Sequence, residues 1–250
     1  MAKTITIANN KGGVGKTMLA YHLANMFADL KEQRVLFVDF DPQGNSTKYF
    51  VGQDGISDKY HVKNMFEKSG IEPFKVTDNI SIVGSSISLG KYENLKDLND
   101  YFALRRYLRT VSEDYDIVII DTPPNIGTFT TNALLATDFV VIPVDSSVDA
   151  FNAIDLIMEA VNDVRLDHNE KIKVAGIVMN IFALHTNAGK KALSRLEQQY
   201  SEFLITPAVP SSTVVQNARE SEQTVFEEDS KHKVCSALIE IFESLCKNLK

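Results

Sequence analysis

Cysteine is scarce in this chain of 250 residues: Cys235 and Cys246 stand alone, both in one C-terminal helical stretch. Their spacing suits neither a disulfide framework nor a zinc site, so both thiols are expected to be reduced, on packing or surface positions. The chain has no stretch of about 18 apolar residues, which excludes a membrane-spanning helix. The N-terminus runs directly into a charged residue and a strand, without the pattern of a secretory leader, so a cytoplasmic location is expected. Positive charge is also in deficit. A net charge of −7 argues against a protein that coats itself in nucleic acid. The deficit is uneven, with 16 basic and 24 acidic side chains in residues 1–170 against 10 and 9 in residues 171–250. The densest basic groups are Lys171, Lys173, Lys190, Lys191 and Arg195, and a second set of Arg105, Arg106 and Arg109 on a predicted helix; either group also reads as an ordinary solvated face.

What remains is a globular composition, 44% hydrophobic and 24% charged, suited to one α/β domain spanning residues 1–250. Short β-branched runs alternate with helical patterns, the signature of parallel strands joined by helical crossovers. Strands are predicted over 4–8, 34–39, 80–83, 116–120, 139–144, 172–179 and 203–206. Helices are predicted over 16–30, 95–111, 150–164, 188–199 and 231–249, with a short one near 61–68. Several strands are apolar on both faces, as in a sheet covered by helices on both sides.

Three segments carry chemistry. The first, residues 10–17, reads Asn-Lys-Gly-Gly-Val-Gly-Lys-Thr directly after the alternating strand 4–8. In such a loop Gly12, Gly13, Val14 and Gly15 offer backbone N–H groups to phosphates, and the following helix presents its positive end. Lys16 is placed to neutralise charge between the β- and γ-phosphates, and Thr17 to offer a hydroxyl to magnesium. Lys11 adds a second ammonium that a bound nucleotide does not need, so it requires another job.

The second segment, Asp39-Phe40-Asp41-Pro42-Gln43-Gly44-Asn45, lies at the carboxyl end of the next strand, where open α/β sheets bind ligands. Asp39 and Asp41 share one side of an extended chain. Either they cap the following turn, or Asp41 orients the attacking water while Asp39 contacts the magnesium shell or the phosphate loop. The third segment is the buried run 117–120 ending in Asp121, a Walker B arrangement in which the acid holds magnesium; Pro123 and Pro124 stiffen its exit. Asn180 closes a further apolar run, where its amide either pairs with adenine or caps the strand. No N-K-x-D stretch for guanine follows it, so ATP is expected rather than GTP.

These segments resemble the ParA/MinD family of deviant Walker A ATPases, with the small ParA/Soj-like partition ATPases that lack an N-terminal helix-turn-helix as the nearest pattern. The resemblance covers nearly the whole chain, including residues 132–138 after the Walker B strand. It is strongest at the three phosphate-site motifs and weakest after residue 180. It implies a P-loop fold with a mostly parallel twisted sheet, ATP and Mg2+ as cofactors, and ATP hydrolysis stimulated by a partner. It also implies an ATP-dependent homodimer in which Lys11 reaches the partner's nucleotide, Asp41 as the catalytic aspartate, and a loop from Pro207 to Pro210 beside the base. Two departures stand out. Met18 occupies a position where many relatives carry Thr or Ser, so only its backbone donor remains for the α-phosphate. Arg219 is the only basic residue between Arg195 and Lys231.

Three readings follow from the resemblance. A ParA-like partition ATPase would bind DNA without sequence preference, here through Lys190, Lys191, Arg195 and Arg219, and work with a ParB-like or other cargo-bound partner. A MinD-like protein would bind a membrane through its last helix, but the stripe Val234, Leu238, Ile241, Phe242, Leu245 and Leu249 lies beside a polar face holding Glu240 and Glu243, and packing against the domain is the better account of it. A metabolic ATP-dependent ligase on the same scaffold leaves no short motif to test. With no helix-turn-helix before the first strand, sequence-specific operator binding is not expected.

Overall fold

A computed structural model of the chain describes residues 2–95 and 97–250, the side chain of residue 219 excepted. Eight strands form one sheet: β1 (Lys3–Ile7), β2 (Val35–Asp39), β3 (Phe74–Lys75), β4 (Ile80–Val83), β5 (Ile117–Asp121), β6 (Phe139–Val144), β7 (Lys173–Met179) and β8 (Leu204–Ile205). Their order is β3-β4-β2-β5-β1-β6-β7-β8, with β3 antiparallel to β4 and every other pairing parallel. The helices are α1 (Lys16–Lys31), α2 (Asn45–Val51), α3 (Asn64–Glu67), α4 (Ala103–Val111), α5 (Thr128–Ala136), α6 (Ala150–Asp167), α7 (Asn187–Tyr200), α8 (Thr213–Glu220), α9 (Val225–Asp229) and α10 (Lys233–Asn248).

Strands β2, β5 and β6 are buried end to end, and the alternation of the central strands divides the core. Ile117 and Ile119 face α1 and α10 with Ile5, Ile7, Val35 and Phe37. Val118 and Ile120 face the opposite layer with Leu36, Val38 and Phe40. A period of two on a sheet covered twice makes every position apolar. The stripe on α10 is buried in the first of these clusters, where Phe242 meets Phe27 of α1 edge-on at 4.8 Å between ring centres. The packing account of that stripe is thus the one the structure shows.

The predicted helix over 95–111 is divided: residues 98–102 form a 3-10 turn, and α4 begins only at Ala103. Asp97 caps the turn by accepting from the Asn99 N–H, a local competitor to α-helix that side chains of this type favour. Helices α2, α5, α8 and α9 were not anticipated. In α2 the run Tyr49-Phe50-Val51 has strand-like propensity, and tertiary hydrogen bonds to its first turn override it.

The topology places one end of the sheet at the site. From β1 the chain moves to β2 and β4 on one side and later to β6 and β7 on the other. The carboxyl ends of β1, β2 and β5 therefore converge at a switch point, where ligands of open α/β sheets bind. In register, Ile7 pairs with Asp121 and Asp39 with Asp121.

Candidate functional site

The loop from Asn9 to Lys16 curls over the end of β1. Gly13 and Gly15 adopt left-handed backbone, φ 78° and 80°, which glycine adopts without steric cost. At Gly15 a Cβ would also stand 2.3 Å from Asn180 Nδ2. Asn9 anchors the loop's entrance: its side chain donates to Pro143 O at 2.8 Å and accepts from Lys11 N at 2.8 Å. Asn180 anchors the far end by donating to the carbonyls of Val14 at 2.9 Å and Gly15 at 3.2 Å. The amide, for which the sequence leaves adenine pairing or a strand cap open, holds the phosphate loop here, and its Oδ1 is buried with no partner among the described residues. The segment from Pro207 to Pro210 lies beside it, since Val209 N donates to Met179 O and Phe182 N to Val209 O.

Lys16 is 7% exposed, and its ammonium donates to Lys11 O at 3.0 Å. Burial pulls its pKa below the usual lysine range, against the opposing charges of Asp121 and Asp41. Thr17 Oγ1 donates to Asp121 Oδ2 at 2.7 Å. Met18 turns its side chain into the core beneath α1, so this position contributes packing from its side chain.

Asp121 is fully buried. Burial raises its pKa; hydrogen bonds from Ser46 and Thr17 oppose the rise, the Asp41 charge adds to it and Lys16 lowers it. Its Oδ1 has no partner among the described residues, an unfulfilled hard oxygen suited to a divalent cation or its water. Asp41 follows the end of β2, with Oδ1 accepting from Gln43 N at 2.9 Å. Phe40 between the two aspartates turns into the opposite core, which leaves Asp39 and Asp41 on one side as expected.

Of the two roles open to Asp39, its hydrogen bonds match the capping one. Its Oδ1 accepts from Asp41 N at 3.2 Å, and its Oδ2 from Thr47 N at 2.8 Å and Thr47 Oγ1 at 2.7 Å. Both oxygens are thus engaged in fastening the loop and α2, the capping alternative, rather than offered to a metal shell. Burial and the neighbouring Asp121 charge raise its pKa, which the Thr47 and Asp41 bonds resist.

Lys11 is held within its own chain, at the loop after β6. Its Nζ lies 2.6 Å from Asp145 Oδ2 and 2.5 Å from Ser147 Oγ. Burial works against the charge on Asp145, but Lys11 and Ser147 outweigh it and hold the carboxyl below the usual range. On α7, Lys190 and Lys191 are exposed, whereas Arg195 stacks 3.9 Å from the centre of the Phe151 ring and donates to Gln199. The side chain of Arg219 lies outside the described residues.

A family model described as an AAA domain, AAA_31, matches residues 2–174. The chain belongs to the ParA/MinD family of deviant Walker A ATPases. This ParA/MinD-family chain is 28% identical to the chromosome partitioning protein ParA of Myxococcus xanthus, over 99% of the chain and 89% of that protein. Among solved structures, it is similar to a plasmid partition protein of Borrelia burgdorferi bound to AMPPNP, with 25% identity, TM-score 0.85 and 99% of both chains covered. It is likewise similar to cobyrinic acid a,c-diamide synthase of Mycobacterium smegmatis with bound ADP and magnesium, with 25% identity, TM-score 0.81, and 99% and 95% covered.

Sequence reasoning named the loop, Asp41 and Asp121, but missed Asn9, Ser46, Thr47, Asp145 and Ser147. Asp145 is the first polar residue after the apolar strand β6, and Asn9 the first after the end of β1, which was a usable signal. Ser46 and Thr47 follow the Asp41 turn and look like ordinary loop residues.

Proposed function

We propose that the chain is an ATP-dependent dimerisation switch with slow hydrolysis, acting as a ParA-like partition ATPase that segregates plasmid or chromosome DNA with a ParB-like, cargo-bound partner. The observation that carries the reading is the division of labour between two lysines. Lys16 is buried in the phosphate cradle, whereas Lys11 is held apart on Asp145 and Ser147. A lysine that the cradle does not use is free to serve a second protomer.

In this mechanism Lys16 pairs with β- and γ-phosphate oxygens in place of Lys11 O, and the N–H groups from Gly12 to Thr17 cradle the phosphates. Thr17 and Asp121 would hold magnesium, for which their oxygens are suited; Asp39 takes no part. Magnesium, when bound, neutralises phosphate charge. Asp41 orients the attacking water and accepts its proton. Lys11 leaves Asp145 and reaches the partner protomer's phosphates, and loss of the γ-phosphate removes the contacts that favour the dimer.

DNA binding without sequence preference would use phosphate contacts from Lys190, Lys191, Arg195 and Arg219, a patch that dimerisation doubles. Such binding would place the protein on the nucleoid. Membrane attachment through α10 is disfavoured, because its apolar stripe is buried.

The test is binding of Asp41→Ala to random-sequence duplex DNA with ATP, with ADP and without nucleotide, across a salt series and beside a dimerisation assay. Binding that needs ATP and weakens with salt supports the partition reading. A dimer that forms with ATP yet ignores DNA discards the nucleoid and points to another cargo. Similarity to the diamide synthase favours a second reading, a ligase on the same scaffold; it predicts ATP turnover that depends on a small-molecule substrate rather than on DNA and a protein partner.

A further inference from the structure

The first turn of α2 sits directly on the carboxylates that end β2 and β5. Ser46 Oγ donates to Asp121 Oδ2 at 2.6 Å, and Thr47 donates twice to Asp39 Oδ2. Two consecutive hydroxyl residues thereby fasten the helix to two adjacent strand ends. Thr47 secures position only, since Asp39 is otherwise bonded to the same segment. Ser46 is different, because its acceptor oxygen is the one that also receives the Thr17 hydroxyl.

Ser46 is fully buried. Burying a hydroxyl is unfavourable unless it finds a partner, and Asp121 is the partner the structure gives it. A serine hydroxyl has one proton, donated here to Asp121 Oδ2, and retains lone pairs; the other carboxylate oxygen, Asp121 Oδ1, has no partner among the described residues. Between Asp41 and Ser46 the chain forms one bonded loop: Gly44 N donates to Asp41 O at 2.9 Å. Gly44 turns with φ 63°, where a Cβ would meet Ser85 O at 2.9 Å. The segment therefore has Asp41 at one end and a bond to Asp121 at the other, with little slack.

We infer that Ser46 is a positioning residue that ties the Asp41 loop to the cation-holding carboxylate of Asp121, so that the order of this loop follows cation occupancy of the site. The inference rests on the magnesium-nucleotide reading above and goes beyond it by naming the link between the two halves of the site. Thr17 and Ser46 share one oxygen of Asp121, so a cation that draws on Thr17 and Asp121 alters the acceptor that Ser46 holds. The effect reaches Asp41 through the four intervening residues, 42–45.

The experiment measures amide hydrogen exchange over residues 41–48 in the full chain and in Ser46→Ala, Ser46→Cys and Ser46→Thr, with AMPPNP, with and without Mg2+. In the unaltered protein, Mg2+ with AMPPNP should slow exchange in this segment about tenfold, the scale of a hydrogen bond to a charged group. Ser46→Ala should lose that slowing while binding AMPPNP without Mg2+ as before, and Ser46→Thr, which keeps the hydroxyl, should restore it. Steady-state ATP hydrolysis should show kcat down about tenfold with KM little changed. Ser46→Cys keeps the size with a poor donor and repeats the test if the alanine variant does not fold. Ser46→Ala or Ser46→Cys with unaltered Mg2+-dependent slowing and unaltered kcat would overturn the inference alone. An unaltered protein that fails to bind AMPPNP would overturn the nucleotide reading and this inference with it.

Discussion

Lys11 Nζ and Asp145 Oδ2 lie 2.6 Å apart, an ion pair that closes over 134 residues of chain and keeps the extra lysine of the phosphate loop on its own protomer. The two side chains are 27% and 23% exposed, so the pair is partly screened, and about 1 kcal/mol is a fair scale for it. In the proposed switch, dimerisation through Lys11 would first have to give up this bond.

Asp145→Asn should therefore tighten the ATP-dependent dimer by about fivefold for each of the two pairs given up, about 25-fold together, measured by sedimentation velocity in an Asp41→Ala background. A weaker dimer would instead assign Asp145 to the assembled interface. Lys11→Ala should bind ATP and stay monomeric; if it dimerised normally, the role across the interface would be wrong.

Lys16→Ala removes the only ammonium buried between Asp41 and Asp121 among the described residues. With that charge gone, phosphates would meet two carboxylates unopposed, and ATP affinity should fall at least about a hundredfold by calorimetric titration. Retention of near-normal affinity would show that the backbone cradle alone carries binding.

Asp41→Ala should keep ATP bound while hydrolysis falls by about two to four orders of magnitude, the range of a positioned general base. Its dimer should persist for as long as ATP remains intact. A variant that hydrolyses ATP at the normal rate would remove Asp41 from the chemistry.

Asn180→Leu deletes both donors to the phosphate-loop carbonyls and leaves Val14 O and Gly15 O without them. Loss of a buried partner costs about 1–3 kcal/mol, to be read as a lower denaturant midpoint. Looser loop geometry should also weaken ATP about tenfold. If stability falls while affinity does not, the clamp supports the fold only.

His22 makes a pH-dependent contribution to stability. Its Nδ1 donates to Met18 O at 2.7 Å, and its Nε2 accepts from Val225 N at 3.0 Å, so the ring is neutral and joins α1 to α9. Burial lowers its pKa from 6.5 to about 4, with the Met18 bond and Glu227 opposing. The unfolded chain then binds the proton more readily than the folded one. The contribution is fully present above pH 6.5 and is lost as pH falls towards 4. Between pH about 7.5 and about 5 the loss should be about 2 kcal/mol in urea unfolding. His22→Gln, which offers a donor and an acceptor without titrating, should flatten that slope; an unchanged slope would move the dependence to other groups.

The strands were legible wherever both faces are buried. Runs such as 117–120 and 139–144 are apolar at every position, which surface elements cannot be. Short helices were less legible: α2 depends on Ser46 and Thr47 meeting carboxylates from other strands, and α5 and α8 lack a long periodic pattern. The sequence left Asp39 open between capping and the magnesium shell, because residue type names a carboxylate without saying which donors will surround it.

The sequence alone determined the phosphate-site chemistry, because that chemistry resides in contiguous spacing. Gly12 to Thr17 run without a break from the loop into the first turn of α1, Asp41 lies two residues beyond a strand end, and Asp121 closes an apolar run. Tertiary structure alone decided what surrounds these groups. Asn180 reaches the phosphate loop across 166 positions, Asp145 reaches Lys11 across 134, and Ser46 reaches Asp121 across 75. Parallel strands separated by helical crossovers bring distant strand ends to one edge, and a polar side chain there takes its role from the unpaired donor or acceptor it meets in the fold.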